Sequence, residues 1–489
     1  MKITFVVAWE GDFFDTLDLS QLDQVADMVV RADDSREGLQ DIISVCSEKK
    51  PDSVVLIARE PLRFRDDRRM GLTRKLIDIG MNPASIGFVN INGIIMCAEN
   101  QGQIIDRLLL TTALAHDRVA HGSPLPMKKV MPVKRCLIIG EVTANDVHNV
   151  TDNGIELVRI WAGQSTEETS ETILAGFSGL PGEYRLRLLR DGSTKELVCG
   201  AVIINVASLD AKQKKQLAEA MKIPFSGGEL KLPPDRHVLT TGLWLFQDGE
   251  GQETVRWPEE VSSFLCQEMI SLYLDACTVD LDKCGLCGTC VKTCMFSANS
   301  IDPETRKIHF DQTLCTGCGN CVTACPVLAR DLHHYSNSYM ADITENLLGF
   351  QGRDGIKILA LFCENNGYKA VNHIAEAKKR VSSSYYFLPV KCGARIGTEI
   401  IPDSFRAGFD GVALLVCARD ECNDLVGSLD LERRFNLYRT IMKAQGQESG
   451  RMRIFSIKQD ELENVYTGLE QFAGYLRDLR ADQAVFSEL

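Results

Sequence analysis

The chain has 489 residues, 45% of them hydrophobic and 25% charged, with a formal net charge of −13 and 18 cysteines. Its length calls for about three or four domains, and its composition is that of a soluble globular protein. The acidic balance speaks against broad binding to nucleic acid or to anionic membranes, which would repel it. No apolar run reaches the roughly 18 residues that a bilayer span needs.

The first segment, taken as 1–125, alternates strand and helix signals. KITFVVAW and SVVLIARE read as strands and IGFVNI as another. LDLSQLDQVADMVV, GLQDIISVCSEK and QGQIIDRLLLTTALAHDRVA carry helical periodicity, the last ending at Gly122. The start MKITFVVAWEGDFFDT lacks the apolar core and cleavage site of a signal peptide, so a cytoplasmic place is expected, or one peripheral to a membrane complex. There thiols stay reduced, and so many cysteines call for metal rather than disulfides. The basic stretch RFRDDRRM around Arg63 reads as a solvated face.

HGSPLPMKKVMPVKR reads as a linker, after which a second α/β segment, 131–276, opens with the strand RCLIIG. EYRLRLLRDGSTKELVCGAVIINVA predicts a hairpin with DGS at its turn, and EEVSSFLCQEMISLYLDAC predicts a helix.

The third segment, 277–335, holds CGLCGTCVKTC and CTGCGNCVTAC, both C-x2-C-x2-C-x3-C. In such pairs three closely spaced thiols wrap one [4Fe–4S] cluster and the fourth crosses to the other. Cys284, Cys287, Cys290 and Cys325 are thereby assigned to one cluster, and Cys315, Cys318, Cys321 and Cys294 to the second. Gly285, Gly288, Gly317 and Gly319 let the backbone approach closely. Zinc usually takes separated pairs, often with histidine, and neither feature is present. Pro326 follows Cys325, but Met295 follows Cys294, which loosens one backbone restraint and removes no ligand. NSIDPETRKIHFDQ predicts a short strand–turn–strand beside the clusters. His333 and His334 read as surface residues.

In the last segment, 343–489, the strands IKILALFC, SYYFLPVKC, GVALLVC and MRIFSI alternate with helices such as GYKAVNHIAEAKKRV and ERRFNLYRTIMKAQG, which predicts a covered parallel sheet. Cys363, Cys392 and Cys417 each end a strand, and Cys422 follows soon after. Strand carboxyl ends share one sheet edge, where sites assemble. Each cysteine alone is an ordinary core residue; together they predict a four-thiolate site that suits one [2Fe–2S] cluster, with structural zinc as the alternative. Arg395 and Arg419 flank these thiols, either to offset a cluster's negative charge or in simple surface roles.

LFCENNGY, VKCGARI and LLVCARDECND…GS…ERR resemble the delta subunit of methyl-viologen-reducing hydrogenase. That family passes electrons from a hydrogenase or formate dehydrogenase into heterodisulfide reductase through one [2Fe–2S] cluster. By motif position the resemblance implies Cys363, Cys392, Cys417 and Cys422 as ligands. DECND stands where the family has a Gly–Asp–Cys–His–Tyr run, which changes polar contacts but not the thiol.

The rest of the chain resembles the A-type polypeptide of heterodisulfide reductase, and the fusion is similar to the B-type polypeptide of the quinone-interacting membrane-bound oxidoreductase complex. The A-type reductase family binds FAD on a Rossmann-like domain that begins strand–GxGxxG–helix. Here CLIIGEVTANDVHNV keeps only Gly140. Glu141 would turn a carboxylate toward the pyrophosphate, and Thr143 and Asn145 replace permissive positions. FAD in the usual mode is therefore not expected. Proteins of that family often carry an early Cys–x–Cys–Gly run, but VVAWEG has Ala8 and Glu10 there, and Cys46 and Cys97 read as core residues.

The expected whole is α/β: Rossmann-like N-terminal domains, a two-cluster ferredoxin-like module and a C-terminal parallel-sheet domain. Its expected role is an electron-transfer subunit with two [4Fe–4S] clusters, one [2Fe–2S] cluster and no substrate site of its own. The partners implied by the resemblance are the other polypeptides of a heterodisulfide-reductase-like complex: a flavin-bearing A-type protein, B- and C-type proteins, or a hydrogenase or formate dehydrogenase. The alternatives are a flavoenzyme that holds FAD in a changed mode, and a redox-sensing adaptor.

Overall fold

In the computed structural model, parallel strands from three parts of the chain form separate sheets, and a cysteine-rich module lies between the second and third. The described residues are 4–487, except 10–18, 25, 33–35, 60–71, 123, 143–149, 162–171, 191, 222–224, 227–228, 231–237, 241–242, 247–256, 274–275, 313–314, 349–354, 423 and 425. Glu10, the stretch around Arg63, Thr143 and Asn145 lie outside them.

The first sheet orders its parallel strands Met28–Ala32, Thr4–Trp9, Ser53–Ala58, Ile86–Asn90. Ser53–Ala58 is buried at every position, as an apolar run covered on both faces must be. The stretch LDLSQLDQVADMVV departs from its helical periodicity: it splits into a 3-10 turn, Leu19–Gln24, and the edge strand Met28–Ala32. Adjacent valines suit a pleated edge, and pairing with Phe5–Trp9 outweighs the helical pattern. The helix Gln101–His121 is capped by the Asn100 side chain, which accepts from the Gln103 amide at 3.0 Å.

In the second sheet Glu156–Ile160, Arg135–Ile139, Ala201–Asn205 and Leu243–Phe246 run parallel, with Val238–Thr240 antiparallel at the edge. The expected hairpin is present as Glu183–Arg190 with Ser193–Cys199, joined by Ile173–Leu180. Two expectations change here. The linker contains a strand, Met127–Val130, paired antiparallel with Ile270–Tyr273. The helix predicted through EEVSSFLCQEMISLYLDAC therefore ends at Leu265, and ISLY is strand.

The third sheet orders Tyr385–Val390, Ile358–Cys363, Gly411–Cys417, Met452–Ile457, all parallel, and its two central strands are buried throughout. Its core does not belong to the tail alone. Met96 and Cys97 pack in the cluster with Phe362, Tyr385 and Leu469 on one face, and Leu114 joins Leu361, Leu414 and Phe435 on the other. Polar contacts close the same joint. Asn372 Oδ1 accepts from Asn90 Nδ2 at 2.8 Å and Asn92 Nδ2 at 3.2 Å, and the Val381 amide donates to Met96 O at 2.9 Å. Buried Arg107 donates to the carbonyls of Tyr385 and Ser383 and lies 4.5 Å over the Tyr386 ring. Among the described residues no helix is long and apolar enough to cross a membrane.

Arg107 thus ties the first segment to a tail strand. Arg107→Met keeps the stem but strips a charged donor from two inward-facing carbonyls, so unfolding free energy should fall by about 2–4 kcal/mol. Denaturant titration checks the size, and limited proteolysis should show faster cleavage near residue 125. A change within about 0.5 kcal/mol, the usual size at a surface site, would make the joint incidental.

Candidate metal centres

Each cysteine loop of the module turns into a short helix through a left-handed glycine: Gly288, φ 73°, before Thr289–Thr293, and Gly319, φ 82°, before Asn320–Thr323. A side chain at such a φ is strained, so glycine is what lets the loop fold back on itself. The two loops ring two hollows. One, of about 330 Å³, is lined by Cys284, Cys287, Cys290 and Cys325 with Ala329 and Arg330. The other, of about 430 Å³, is lined by Cys315, Cys318, Cys321 and Cys294. Each hollow thus takes three thiols from one motif and the last thiol of the other, the crossed pairing the spacing implies. Amides already point at sulfur, with Gly317 N to Cys315 Sγ at 3.4 Å and Ala329 N to Cys325 Sγ at 3.3 Å. Four thiols, mostly apolar walls and N–H donors fit a [4Fe–4S] group in each hollow. Among the described residues no three Cys, His, Asp or Glu side chains converge on a single ion. The expected strand–turn–strand is present as Asn299–Ile301 against Ile308–Phe310.

The second hollow holds one thiol that no spacing rule flagged. Cys277, on the strand Cys277–Val279, lines it, and its Sγ lies 3.6 Å from Cys321 Sγ while its amide donates to Cys315 Sγ at 3.4 Å. Hydrogen bonds to Cys315 and Cys321 push the Cys277 thiol far above its ordinary value. The same bonds favour thiolate at the neighbours: Cys315 is lowered, and Cys321 falls to about 7 against the opposing effect of burial. Cys277 therefore holds its proton more firmly than Cys315 and Cys321, while burial raises Cys294 and Cys318 as well. Its strand pairs with Leu332 and buries Cys277 itself, a signal visible only in three dimensions.

The tail thiols come together as well. Cys363, Cys417 and Cys422 form one buried cluster, with Cys363 Sγ 3.6 Å from Cys417 Sγ, and Cys392 hydrogen-bonds Cys422. Hydrogen bonding splits each pair. Cys363 is lowered and Cys417 raised, while Cys422 is pulled down to about 6 and Cys392 is raised. Four thiols from three strand ends and the loop beyond fit a four-thiolate group. Cys417 and Cys422 are 4% and 6% exposed, and Gly427, at the start of the helix Gly427–Ala444, lies against Cys422.

The two sites share a wall. Asp424 and Val426, just past Cys422, line the second module hollow, and the charge of Cys318 helps raise Cys392. Asn320 Nδ2, at the start of the second loop helix, donates to Asp430 Oδ2 at 2.6 Å, and its Oδ1 accepts from Arg434 Nη1 at 3.1 Å. Arg395 is 2% exposed and donates through Nε to Tyr335 O at 2.8 Å, beside Gly319. Arg419 is instead exposed and pairs with Glu432, a surface role. His333 is buried and His334 half-buried, correcting their surface reading; the carbonyl of His333 lies against Gly122.

At the end of the strand Arg135–Ile139, Gly140 has φ 94° and would place a Cβ 2.4 Å from Ser208 Oγ. The Glu141 amide donates to that hydroxyl at 2.9 Å, and Asn205 Nδ2 donates to Glu141 O at 2.7 Å. The backbone amide placed to meet a phosphate thus already has a protein acceptor.

With this geometry in view, likeness to known proteins falls on the same segments. Residues 283–329 match the 4Fe-4S dicluster domain, and residues 358–480 match the family described as methyl-viologen-reducing hydrogenase, delta subunit. The chain is similar to the A-type polypeptide of the ferredoxin/F(420)H(2)-dependent CoB-CoM heterodisulfide reductase of Methanosarcina acetivorans, 28% identical over 201 residues. It is also similar to the A-type polypeptide of the ferredoxin:CoB-CoM heterodisulfide reductase of Methanosarcina mazei, at 27% over 201 residues. Each match covers 41% of this chain and spans 25% of the relative's length. The chain therefore carries a 4Fe-4S dicluster segment and a hydrogenase-delta-like segment, and over 201 of its residues it is similar to the A-type polypeptide of heterodisulfide reductase.

Gly427 backs the tail thiols, since a Cβ there would lie 2.7 Å from Cys392 Sγ and 3.5 Å from Cys422 Sγ. Gly427→Ala should cost the tail site its metal while both module sites keep theirs, read as loss of one iron–sulfur signal in low-temperature EPR. Unchanged tail metal would show that Cys392 does not hold the group.

Proposed function

We propose that this chain is an iron–sulfur electron-transfer subunit of a heterodisulfide-reductase-like complex. The segments 1–125 and 131–276 would serve as scaffold, 277–335 would hold two [4Fe–4S] groups, and 343–489 would hold one [2Fe–2S] group. When bound, these groups supply one-electron carriers in series between a donor and an acceptor. The observation that carries the reading is the shared wall: Asp424 and Val426 of the tail close the hollow ringed by Cys315, Cys318, Cys321 and Cys294. Electron tunnelling falls off steeply with distance, so thiol sets that share a wall suit transfer. In the first hollow Cys287 is exposed, and Leu286 and Val327 line the same hollow as exposed apolar residues. That hollow would face a partner, and the buried tail site would exchange with its partner through its cover.

The residues give each site a distinct task. Amides of Gly317 and Ala329 stabilise thiolate at Cys315 and Cys325. Arg395 and Arg434 place positive charge near the second loop and the tail thiols, offsetting negative charge that would otherwise build up in a low-dielectric region. Similarity to the A-type polypeptide of heterodisulfide reductase and to a hydrogenase delta subunit supports partners of those two kinds, a flavin-bearing or heterodisulfide-reducing protein and a hydrogenase or formate dehydrogenase. The acceptor already found by the Glu141 amide, together with the lost glycines, supports a scaffold without FAD.

Two measurements test this. Anaerobically prepared protein should hold about ten iron atoms, and denaturation should release no FAD. Iron near eight with one zinc would make the tail site structural, and stoichiometric flavin would revive a flavoenzyme. Cys422→Ser should leave the module's EPR signals intact while strongly slowing their reduction in the complex purified from the native cell. Reduction at the wild-type rate would put the tail off the path.

A further inference from the structure

Arg330 is 1% exposed, on a strand running between the two module hollows. Its Nη2 lies 3.6 Å from Cys290 Sγ, in the ring of the first hollow, and its Nη1 lies 3.6 Å from Cys277 Sγ, in the wall of the second. Cys277 in turn meets Cys321 Sγ at 3.6 Å and gives its amide to Cys315 Sγ. The guanidinium lies 5.0 Å over the Phe310 ring, and Arg330 also lines the first hollow. The backbone of the residue is anchored as well, with Asn337 Nδ2 donating to the Arg330 carbonyl at 2.8 Å.

We infer that Arg330 is a shared potential-setting residue, whose one buried guanidinium favours the reduced form of both module centres, directly through Cys290 and through the Cys277 thiol on the other side. The inference rests on the two-cluster reading of the module. Each one-electron reduction adds one negative charge at a centre and moves no proton on Arg330. A fixed cation contacting the thiol ring stabilises that added charge, and hydrogen bonds to the sulfurs are among the factors that set such potentials. The planar guanidinium fork reaches two sulfurs at once, which an ammonium does not. Arg330 therefore acts on two centres, whereas Cys277 acts on one.

The test is a dithionite titration of the full chain with redox mediators, followed by low-temperature EPR and iron analysis. Arg330→Gln should lower both module potentials, each by about tenfold in the reduction equilibrium, or ~59 mV for one electron. Cys277→Ala should lower only one of the two, which identifies the Cys315 centre. Arg330→Lys should restore part of the shift, unequally between the two. A shift in only one centre for Arg330→Gln, or none, overturns the inference while the two signals themselves uphold the cluster reading. If Arg330→Gln loses its iron, Cys277→Ala decides alone: no shift, or equal shifts in both, overturns it. Wild-type protein without two [4Fe–4S] signals sinks the underlying reading instead.

Discussion

The seam between the second cysteine loop and the tail is the contact on which the rest of the arrangement depends. Gly319 has no Cβ, and the space one would take is held by Arg395, whose Cδ would come within 2.7 Å. Burial lowers the Arg395 pKa to about 10, which still leaves it charged at neutral pH, and its donors are taken by Tyr335 O and Asn337 Oδ1. Asp430 and Arg434 grip Asn320 from the helix Gly427–Ala444, whose first residue packs on Cys392 and Cys422. One helix therefore sets both the tail thiols and the loop of the neighbouring hollow. A buried charge that loses its partner is costly, so the seam has one register and does not slide.

Sequence alone reveals the thiols far better than what surrounds them. Cysteine spacing in the module and the strand-end positions of Cys363, Cys392 and Cys417 are local patterns, and all of these thiols come together at sites of their own. The sheet of the tail was equally legible, because four apolar runs separated by helical stretches have few other ways to fold. What stayed hidden depends on contacts distant in sequence. ISLY becomes a strand only because Met127–Val130 is there to pair with it. His333 is buried where its backbone carbonyl meets Gly122, far away in sequence. Cys277 and Arg330 carry no motif, and their meaning comes from a strand pairing that brings both between the hollows.

The thiols also sort themselves by proton. Around the second hollow the hydrogen-bond pattern leaves the proton on Cys277 and favours thiolate at Cys315 and Cys321. In the tail the pairing is two by two, so Cys363 and Cys422 are thiolate-prone and Cys417 and Cys392 hold protons. Metal ligation needs thiolate at every ligand, so a group held by all four tail thiols would require two buried sulfurs to give up protons. The module's second hollow would require the same of Cys294 and Cys318, whose thiols burial raises, while Cys277 could remain a donor beside a bound group.

The N-terminal segment has a physical role at the tail site. Its helix Gln101–His121 touches the tail at two places on the same side of the molecule. Arg107 holds the start of the strand Tyr385–Val390, which leads directly to Cys392. Further along, Arg118 Nη1 donates to Tyr335 Oη at 2.7 Å, and Tyr335 Oη donates to Glu364 Oε1 at 2.8 Å, next to Cys363. Lys391 closes the chain at 3.5 Å from the other oxygen of Glu364, next to Cys392. Two of the four tail cysteines are therefore positioned through a helix that lies more than 200 residues earlier in the sequence. Charged groups buried along that path are paired and hydrogen-bonded, which fixes one geometry at the cost of a less forgiving joint. The helix Gln101–His121 is accordingly a brace for the thiols of the tail.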